Sequence, residues 1–364
     1  MSVSRSNIVI GAQIQKARKL LALSVKEVAE EIHVSPQLIN DWEMGVSQPG
    51  LRELEALANL YGREIDYFLR ETPNPPTGVK FRGKPGESLQ HLSRDTKIVL
   101  ARFDELCRAA VEFEELLQKK REVSLATISA RTTARTGAQG IRQQYDLENK
   151  PIPDLRALLE NAGVRIFEIP IPNDELSGFS FWHETYGPCI LVHAKDVKGR
   201  RDFTLAHELA HLLYNHGSSA CYIPSKISDV HETTELKANR FAVELLLPET
   251  GVVDDFKKRD LSRTSSERQL RPMAIKWGVS IQALGYRLEG LGLVNTGLTN
   301  KIIESRPAYF RRPRTQTWER RLGKSFVGTS LEAYQNNLIS VGKLAHVLQI
   351  PIRKAMQIAE TAGR

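Results

Sequence analysis

FTLAHELAHLLYNH, residues 203–216, is the most informative segment in the central part of this chain. Residues four apart lie on one face of an α-helix, so His207 and His211 can present two imidazoles to one cation, with Glu208 beside them. A zinc ion held there would acidify a water molecule, and Glu208 could take its proton and pass it to a leaving amine. The competing interpretation is an apolar helix whose two histidines are hydrogen-bonded within a core.

A third metal ligand would separate these interpretations, and HETTELKANRFAVELLLP, residues 231–248, offers one. This run predicts a second helix that Pro248 terminates. Its apolar residues recur at helical spacing, so the helix can pack on the first one and direct Glu235 at the metal. Two histidines and one glutamate leave a fourth position open to water, as in catalytic Zn²⁺ sites. Glu232, about one helical turn away, is the second choice of ligand.

The two runs together resemble the ImmA/IrrE family of zinc metallopeptidases, in which FTLAHELAHLL is followed by ExxANRFAxxLLLP. The resemblance covers residues 150–295 and includes the helical tail WGVSIQALGYRLEGLGLV at 277–294. It implies that both histidines and Glu235 bind Zn²⁺, that Glu208 is the catalytic base, and that the substrate is a helix-turn-helix repressor. Four nearby polar residues are candidates for stabilising the tetrahedral oxyanion: Tyr214, His216, His231 and Arg240.

Residues 8–69 predict four or five short helices, with Ser24 and Ser35 as N-caps. The run SVKEVAEEIHVSPQLINDWEMGVSQPGLRELEALANLYG resembles the Xre type of phage-repressor helix-turn-helix, because WEMG followed by Pro49 matches its WExG…P pattern. The resemblance implies that the helix from Ser35 to Met44 enters the major groove of a double-stranded DNA operator. Three of its side chains are expected to contact base edges: Ser35, Gln37 and Asn40.

Two features of this N-terminal module weaken the DNA interpretation. The predicted recognition helix has no Lys or Arg, and Val25 stands where the Xre family usually has a phosphate-contacting glutamine. Residues 1–70 hold 8 Lys and Arg against 9 Asp and Glu. Because phosphate contacts dominate DNA affinity, binding would need a homodimer or the basic C-terminus. Docking onto another helix-turn-helix protein is therefore the alternative.

The C-terminal end carries the basic excess of a chain whose net charge is +8: residues 301–364 hold 12 Lys and Arg against 4 Asp and Glu. Such an excess attracts nucleic acid or an acidic protein, and a solvated surface is the alternative. RPAYFRRPRTQTWERR, residues 306–321, mixes arginines with three aromatic residues, as nucleic-acid contacts and docking patches do. The run 339–360 predicts two helices with a turn at Ile350-Pro351. This pattern is compatible with a second helix-turn-helix.

The chain divides at a Pro- and Gly-rich stretch, residues 72–90. Further on, the β-rich runs VRIFEIPI and PCILVHA precede the motif helix and predict a small sheet packed against it. We expect a multidomain, mainly α protein that combines an all-α helix-turn-helix domain, an α+β zincin-like metallopeptidase domain and a helical C-terminal extension. The predicted bounds are 1–71 for the helix-turn-helix domain, 72–149 for a linker with connecting helices, 150–295 for the metallopeptidase domain and 296–364 for the extension.

Composition supports a cytoplasmic protein of two or three domains, since the chain has 364 residues and 41% hydrophobic content. Its N-terminus lacks the apolar core of a secretory signal, and no stretch reaches transmembrane length, so no membrane association is expected. Three scattered cysteines without a CxxC pair exclude a disulfide framework.

Two functions are compatible with these features. The first is a zinc-dependent endopeptidase that regulates transcription by cleaving a helix-turn-helix repressor or itself. The second is a DNA-binding repressor or antitoxin-like regulator, with a toxin as partner, whose zincin core is a scaffold with little proteolytic activity. The intact Glu208 favours the enzyme, because a scaffold has no use for a base. A Glu208→Gln substitution separates the two, since only the enzyme would lose its function.

Overall fold

The structure of the chain is a computed structural model that describes residues 5–21, 23–63, 65–69, 92–172, 175–215, 219–221, 232–261, 266–304 and 317–362. The predicted linker at 72–90 and most of the arginine-rich run at 306–321 lie outside these ranges. None of the helices within them is both long enough and apolar enough to cross a lipid bilayer.

Within the residues that the structure describes, the N-terminal domain has five helices, in agreement with the four or five that the sequence predicts. They are α1 (Arg5–Leu20), α2 (Val25–Glu31), α3 (Pro36–Glu43), α4 (Leu51–Tyr61) and α5 (Ile65–Leu69). Both predicted N-caps are confirmed. The Ser24 hydroxyl accepts a hydrogen bond from the Glu27 amide at 3.1 Å, and the Glu27 carboxylate accepts one from the Ser24 amide at 2.7 Å. The Ser35 hydroxyl caps α3 by accepting from the Leu38 amide at 3.2 Å.

The close approach of α1 to α3 fixes the orientation of α3. A Cβ atom on Gly11 would lie 2.2 Å from the carbonyl oxygen of Trp42, so only glycine fits there. The Arg18 guanidinium holds Glu43 through two hydrogen bonds, at 2.6 and 2.7 Å. One side of α3 is therefore buried against α1, while Ser35 and Gln37 at its start stay exposed to solvent.

A four-stranded sheet lies at the centre of the larger part of the chain, in the order β1-β3-β2-β4. Its strands are β1 (Arg165–Ile169), β2 (Gly178–His183), β3 (Gly187–His193) and β4 (Ser219–Cys221). Strand β1 runs parallel to β3, and β2 runs antiparallel to both β3 and β4. Two strands coincide with the β-rich runs, which confirms the expected small sheet.

Helices cover both faces of this sheet. One face packs on α9 (Lys198–Leu213), behind which lie α7 (Ala134–Gln144), α8 (Leu155–Asn161) and α10 (Glu232–Leu246). The other face packs on α6 (Arg94–Leu116). Alternate strand residues point to opposite faces, so coverage on both sides buries every residue of β1.

Helices α6 and α7 belong to the segment predicted as linker and connecting helices, and both contribute to the core around the sheet. The ring of Phe103 in α6 lies 6.1 Å from Phe167, 6.3 Å from Phe179 and 5.4 Å from Phe181, measured between ring centroids. Ala138 of α7 is fully buried in the core that contains α9 and α10. The domain bounds given above stay predictions.

The C-terminal part of the chain is helical, as expected. Its helices are α11 (Glu249–Lys258), α12 (Glu267–Trp277), α13 (Ile281–Gly290), α14 (Leu298–Glu304), α15 (Trp318–Leu322), α16 (Lys324–Gln335), α17 (Val341–Leu348) and α18 (Ile352–Ala362). Helices α11 to α14 extend the core around α9 and α10, whereas α15 to α18 extend the core between α6 and the sheet.

Candidate metal centre

The motif helix α9 places its two histidines side by side in the interior. His207 and His211 are each 1% exposed, and their Nε2 atoms lie 3.0 Å apart. This placement follows from the four-residue spacing, because the apolar residues on either side of the pair pack α9 between the sheet and α10. Burial lowers the pKa of His211, although Glu235 opposes this effect.

Helix α10 brings Glu235 to the two histidines. Its Oε2 atom lies 3.1 Å from Nε2 of His207, and its Oε1 atom lies 3.2 Å from Nε2 of His211. Burial alone would raise the pKa of Glu235, but the two histidines lower it overall. Four apolar side chains anchor α10 at this position, all fully buried: Ala238, Phe241, Ala242 and Leu245.

The donor set and its spacing suit zinc. Tetrahedral zinc has bonds of about 2.0–2.1 Å, which places its ligand atoms about 3.3 Å apart. The three closest pairs of ligand atoms here are separated by 3.0, 3.1 and 3.2 Å. All three residues thus offer atoms that could bind one ion, and the predicted triad of His207, His211 and Glu235 lies together.

A fourth residue, Asn239, orients one of the histidines. Its Oδ1 atom lies 3.0 Å from Nδ1 of His207. With Oδ1 as the acceptor, Nδ1 carries the proton and Nε2 keeps its lone pair for a metal. Such outer contacts usually fix the tautomer and ring orientation of a metal-binding histidine.

The carboxylate of Glu208 is completely buried, at 0% exposure. Its Oε2 atom accepts a hydrogen bond from the Ser180 hydroxyl at 2.6 Å. Its Oε1 atom has no hydrogen-bond partner among the residues that the structure describes. Burial raises the pKa of Glu208 to about 7, an effect that the electrostatic interaction with His207 and the Ser180 hydrogen bond oppose. A group with this pKa can both accept and release a proton near neutral pH.

Two residues of the site, Asn239 and Ser180, were not predicted from the sequence. Asn239 follows Glu235 by four residues, so helical spacing alone places it on the ligand-bearing face of α10. Ser180 is the single hydroxyl between Phe179 and Phe181 in a buried strand, and a polar residue in such a run indicates a specific partner.

The four candidates for oxyanion stabilisation are only partly covered by the structure. The Tyr214 hydroxyl donates to the carbonyl oxygen of Thr133 at 2.9 Å, and Arg240 is exposed. His216 and His231 lie outside the described residues. Glu232, the second choice of ligand, begins α10, but the cluster of possible ligands contains Glu235.

The three residues predicted to contact DNA all lie at or in the first turns of α3. Ser35 and Gln37 are exposed, and Asn40 is half-buried. The Gln37 amide donates to Oδ1 of Asp41 at 2.8 Å, so the exposed end of α3 is polar but carries no positive charge. Base contacts by these residues stay a prediction.

Comparisons with known proteins agree with both resemblances. Residues 159–289 match the family model of the IrrE N-terminal-like domain, and residues 14–68 match that of a helix-turn-helix domain. No curated protein matches the chain. The crystal structure of ComR from Streptococcus suis matches at 12% identity, over 96% of this chain and 95% of that chain, with a TM-score of 0.16. The chain therefore joins an N-terminal helix-turn-helix domain to a metallopeptidase-like domain of the IrrE type.

Proposed function

We propose that the chain is a zinc-dependent endopeptidase coupled to a DNA-binding domain, and that it regulates transcription by cleaving a helix-turn-helix repressor or itself. His207, His211 and Glu235 would hold Zn²⁺. Bound zinc supplies Lewis acidity for the attack of water on a peptide carbonyl. The helix-turn-helix domain supports DNA binding, which would bring the peptidase to the operators where its substrate sits.

The observation that carries this proposal is the burial of the Glu208 carboxylate, with one oxygen that has no hydrogen-bond partner among the described residues. A buried carboxylate oxygen without a partner is costly, at roughly 1–3 kcal/mol. A scaffold would gain nothing from that cost, whereas a general base needs a free oxygen to accept a proton. Glu208 would accept the proton of the attacking water at Oε1 and return it to the leaving amine, while Ser180 holds the other oxygen in place.

A second candidate function is a DNA-binding repressor or antitoxin-like regulator, with a toxin as partner and a zincin core of little activity. One observation favours it. The two histidines and Glu208 are at most 1% exposed, and Glu235 is the more accessible member of the cluster, with 35% of its side chain exposed. A peptide would have to reach the centre from the Glu235 side.

Zinc analysis and peptide cleavage together test the proposal. The wild type and Glu208→Gln should each bind one zinc per chain, and His211→Ala should bind none. With a proteome-derived peptide library, only the zinc-loaded wild type should generate new termini. A library that stays intact with a zinc-loaded wild type would favour the regulator instead.

A further inference from the structure

Three segments of the chain share one backbone arrangement, in which two helices are joined by a turn of three or four residues. The segments are α2–α3, α12–α13 and α17–α18. Each turn contains one residue in the left-handed region: His33 at φ 57°, Gly278 at φ 68° and Gln349 at φ 58°. The next residue in each turn donates its amide to an alanine carbonyl five residues earlier, at 2.9, 3.1 and 3.0 Å respectively. These contacts define the C-cap of the first helix in every segment.

The side chains of the three segments also correspond, without gaps. The alanine that accepts this hydrogen bond is buried in every case: Ala29, Ala274 and Ala345. The residue before it is a fully buried apolar residue: Val28, Met273 and Leu344. The fourth residue of each second helix is likewise fully buried: Ile39, Leu284 and Ala355. Since α2–α3 belongs to the matched helix-turn-helix domain, the other two segments share the turn and the buried positions of a helix-turn-helix unit.

In the unit α12–α13, a neighbouring helix covers the middle of the second helix. Gly285 occupies the position of Asn40, and a Cβ atom there would lie 2.4 Å from the Thr299 hydroxyl of α14. Arg287 is held by two hydrogen bonds of 2.9 Å to Glu244 of α10. Helix α14 therefore covers the middle of this face of α13, whereas Gln282, at the position of Gln37, stays exposed.

The unit α17–α18 leaves the corresponding face of α18 open. Ile352 is 56% exposed and Met356, at the position of Asn40, is 48% exposed. Arg353 is exposed at the position of Gln37, and Lys354 is exposed beside it. Apolar contacts hold α18 from its other side, where Ala355 and the rest of the core lie.

Charge distinguishes α18 from α3. Residues 35–43 contain two acidic residues and no basic one, whereas the corresponding residues 351–359 contain two basic residues and no acidic one, and Glu360 follows them in α18. Phosphate neutralisation supplies most of the affinity for duplex DNA, so α18 meets a requirement that α3 does not. Arginine at a recognition position is also the side chain best suited to guanine.

We propose that α17–α18 is a second DNA-binding helix-turn-helix unit, which places the exposed face of α18, with Arg353 and Lys354, against double-stranded DNA. The Ser340 hydroxyl caps α17 by accepting from the Lys343 amide at 3.1 Å, as Ser24 caps α2, so the first helix of the unit is built in the same way. Helices α3 and α18 then form an acidic and a basic recognition helix, respectively.

The test is the salt dependence of binding to a fluorescein-labelled 30-base-pair duplex of random sequence. All proteins are full length and carry Glu208→Gln, so that the result does not depend on proteolysis. The double variant Arg353→Ala, Lys354→Ala removes the two charges of α18. The matched control Lys257→Ala, Lys258→Ala removes a consecutive pair that is also exposed, at the end of α11. Circular dichroism melting verifies that both variants fold like the parent.

Each phosphate contact contributes about 0.9 to the slope of log affinity against log salt concentration. The α18 variant should therefore lose up to about 1.8 of this slope and bind about 60-fold more weakly at 0.1 M salt, if both side chains contact phosphates. The α11 control should keep the parent slope. Equal slopes for the two variants, or a parent that does not bind the duplex, would overturn the proposal. Equal slopes would instead point to an acidic protein as the partner of α18.

Discussion

Replacing Asn239 with alanine removes the hydrogen bond that orients His207. The bond joins Oδ1 of Asn239 to Nδ1 of His207 at 3.0 Å, and the imidazole is 1% exposed with Asn239 in place. The variant keeps all three proposed ligands. Its expected defect is therefore in the preorganisation of the site and not in the number of ligands.

The magnitude follows from the burial of that imidazole. A buried donor left without its partner costs about 1–3 kcal/mol. At about 1.4 kcal/mol per tenfold change, the affinity for zinc should fall by roughly 5- to 150-fold, a range that agrees with the effect of other outer contacts at metal sites. Competition between the protein and a chromophoric zinc chelator measures the dissociation constant directly.

Asn239→Asp provides the matched control, because aspartate keeps an acceptor oxygen at the same distance along the side chain. It should bind zinc as tightly as the wild type or more tightly. If Asn239→Ala and the wild type have the same zinc dissociation constant, the orienting role assigned to Asn239 is incorrect.

Two further predictions concern stability. In α7, Gly137→Ala should lower the melting temperature by several degrees, since its Cβ would lie 2.3 Å from the Tyr214 hydroxyl and overpacking costs about 1–3 kcal/mol. A Cβ at Gly140 would have no atom within 4 Å, so Gly140→Ala should raise the melting temperature slightly. If the melting temperature changes in the same direction in both variants, this packing is contradicted. Burial raises the pKa of Glu105, but the His346 hydrogen bond and nearby positive charges lower it overall to about 2. The ionised Glu105 thus stabilises the folded protein fully at pH values above its unfolded pKa of about 4.3. This stabilisation is lost as the pH falls towards 2. Between pH 5 and pH 3, the melting temperature of Glu105→Gln should fall less than that of the wild type. An equal fall in both proteins would contradict the stabilising role of the Glu105 charge.

Local sequence signals predicted the elements that hold the site. The four-residue spacing of His207 and His211 and the apolar face of the second helix follow from helical periodicity, and both are helices in the structure. The N-caps Ser24 and Ser35 are local as well, because each bonds to an amide three residues away. Such contacts need no knowledge of the tertiary fold.

The remaining features depend on contacts between distant parts of the chain. Ser180 meets Glu208 only because β2 packs against α9, and no spacing within either element indicates this pair. An amphipathic helix such as α6 has the same pattern whether it bridges two domains or covers a sheet. From the sequence, a second helix-turn-helix was only an open alternative. Whether α13 or α18 has an exposed face depends on its neighbours in the tertiary structure.

The central claim is that Glu208 makes this chain a peptidase, and mass spectrometry of protein N-termini tests it without a guess about the substrate. Cells that express the wild type or Glu208→Gln are compared under several stresses. The proposed mechanism predicts a new N-terminus that appears only with the wild type, inside a repressor-like protein or within the first 90 residues of this chain. Identical sets of N-termini under every stress would contradict it.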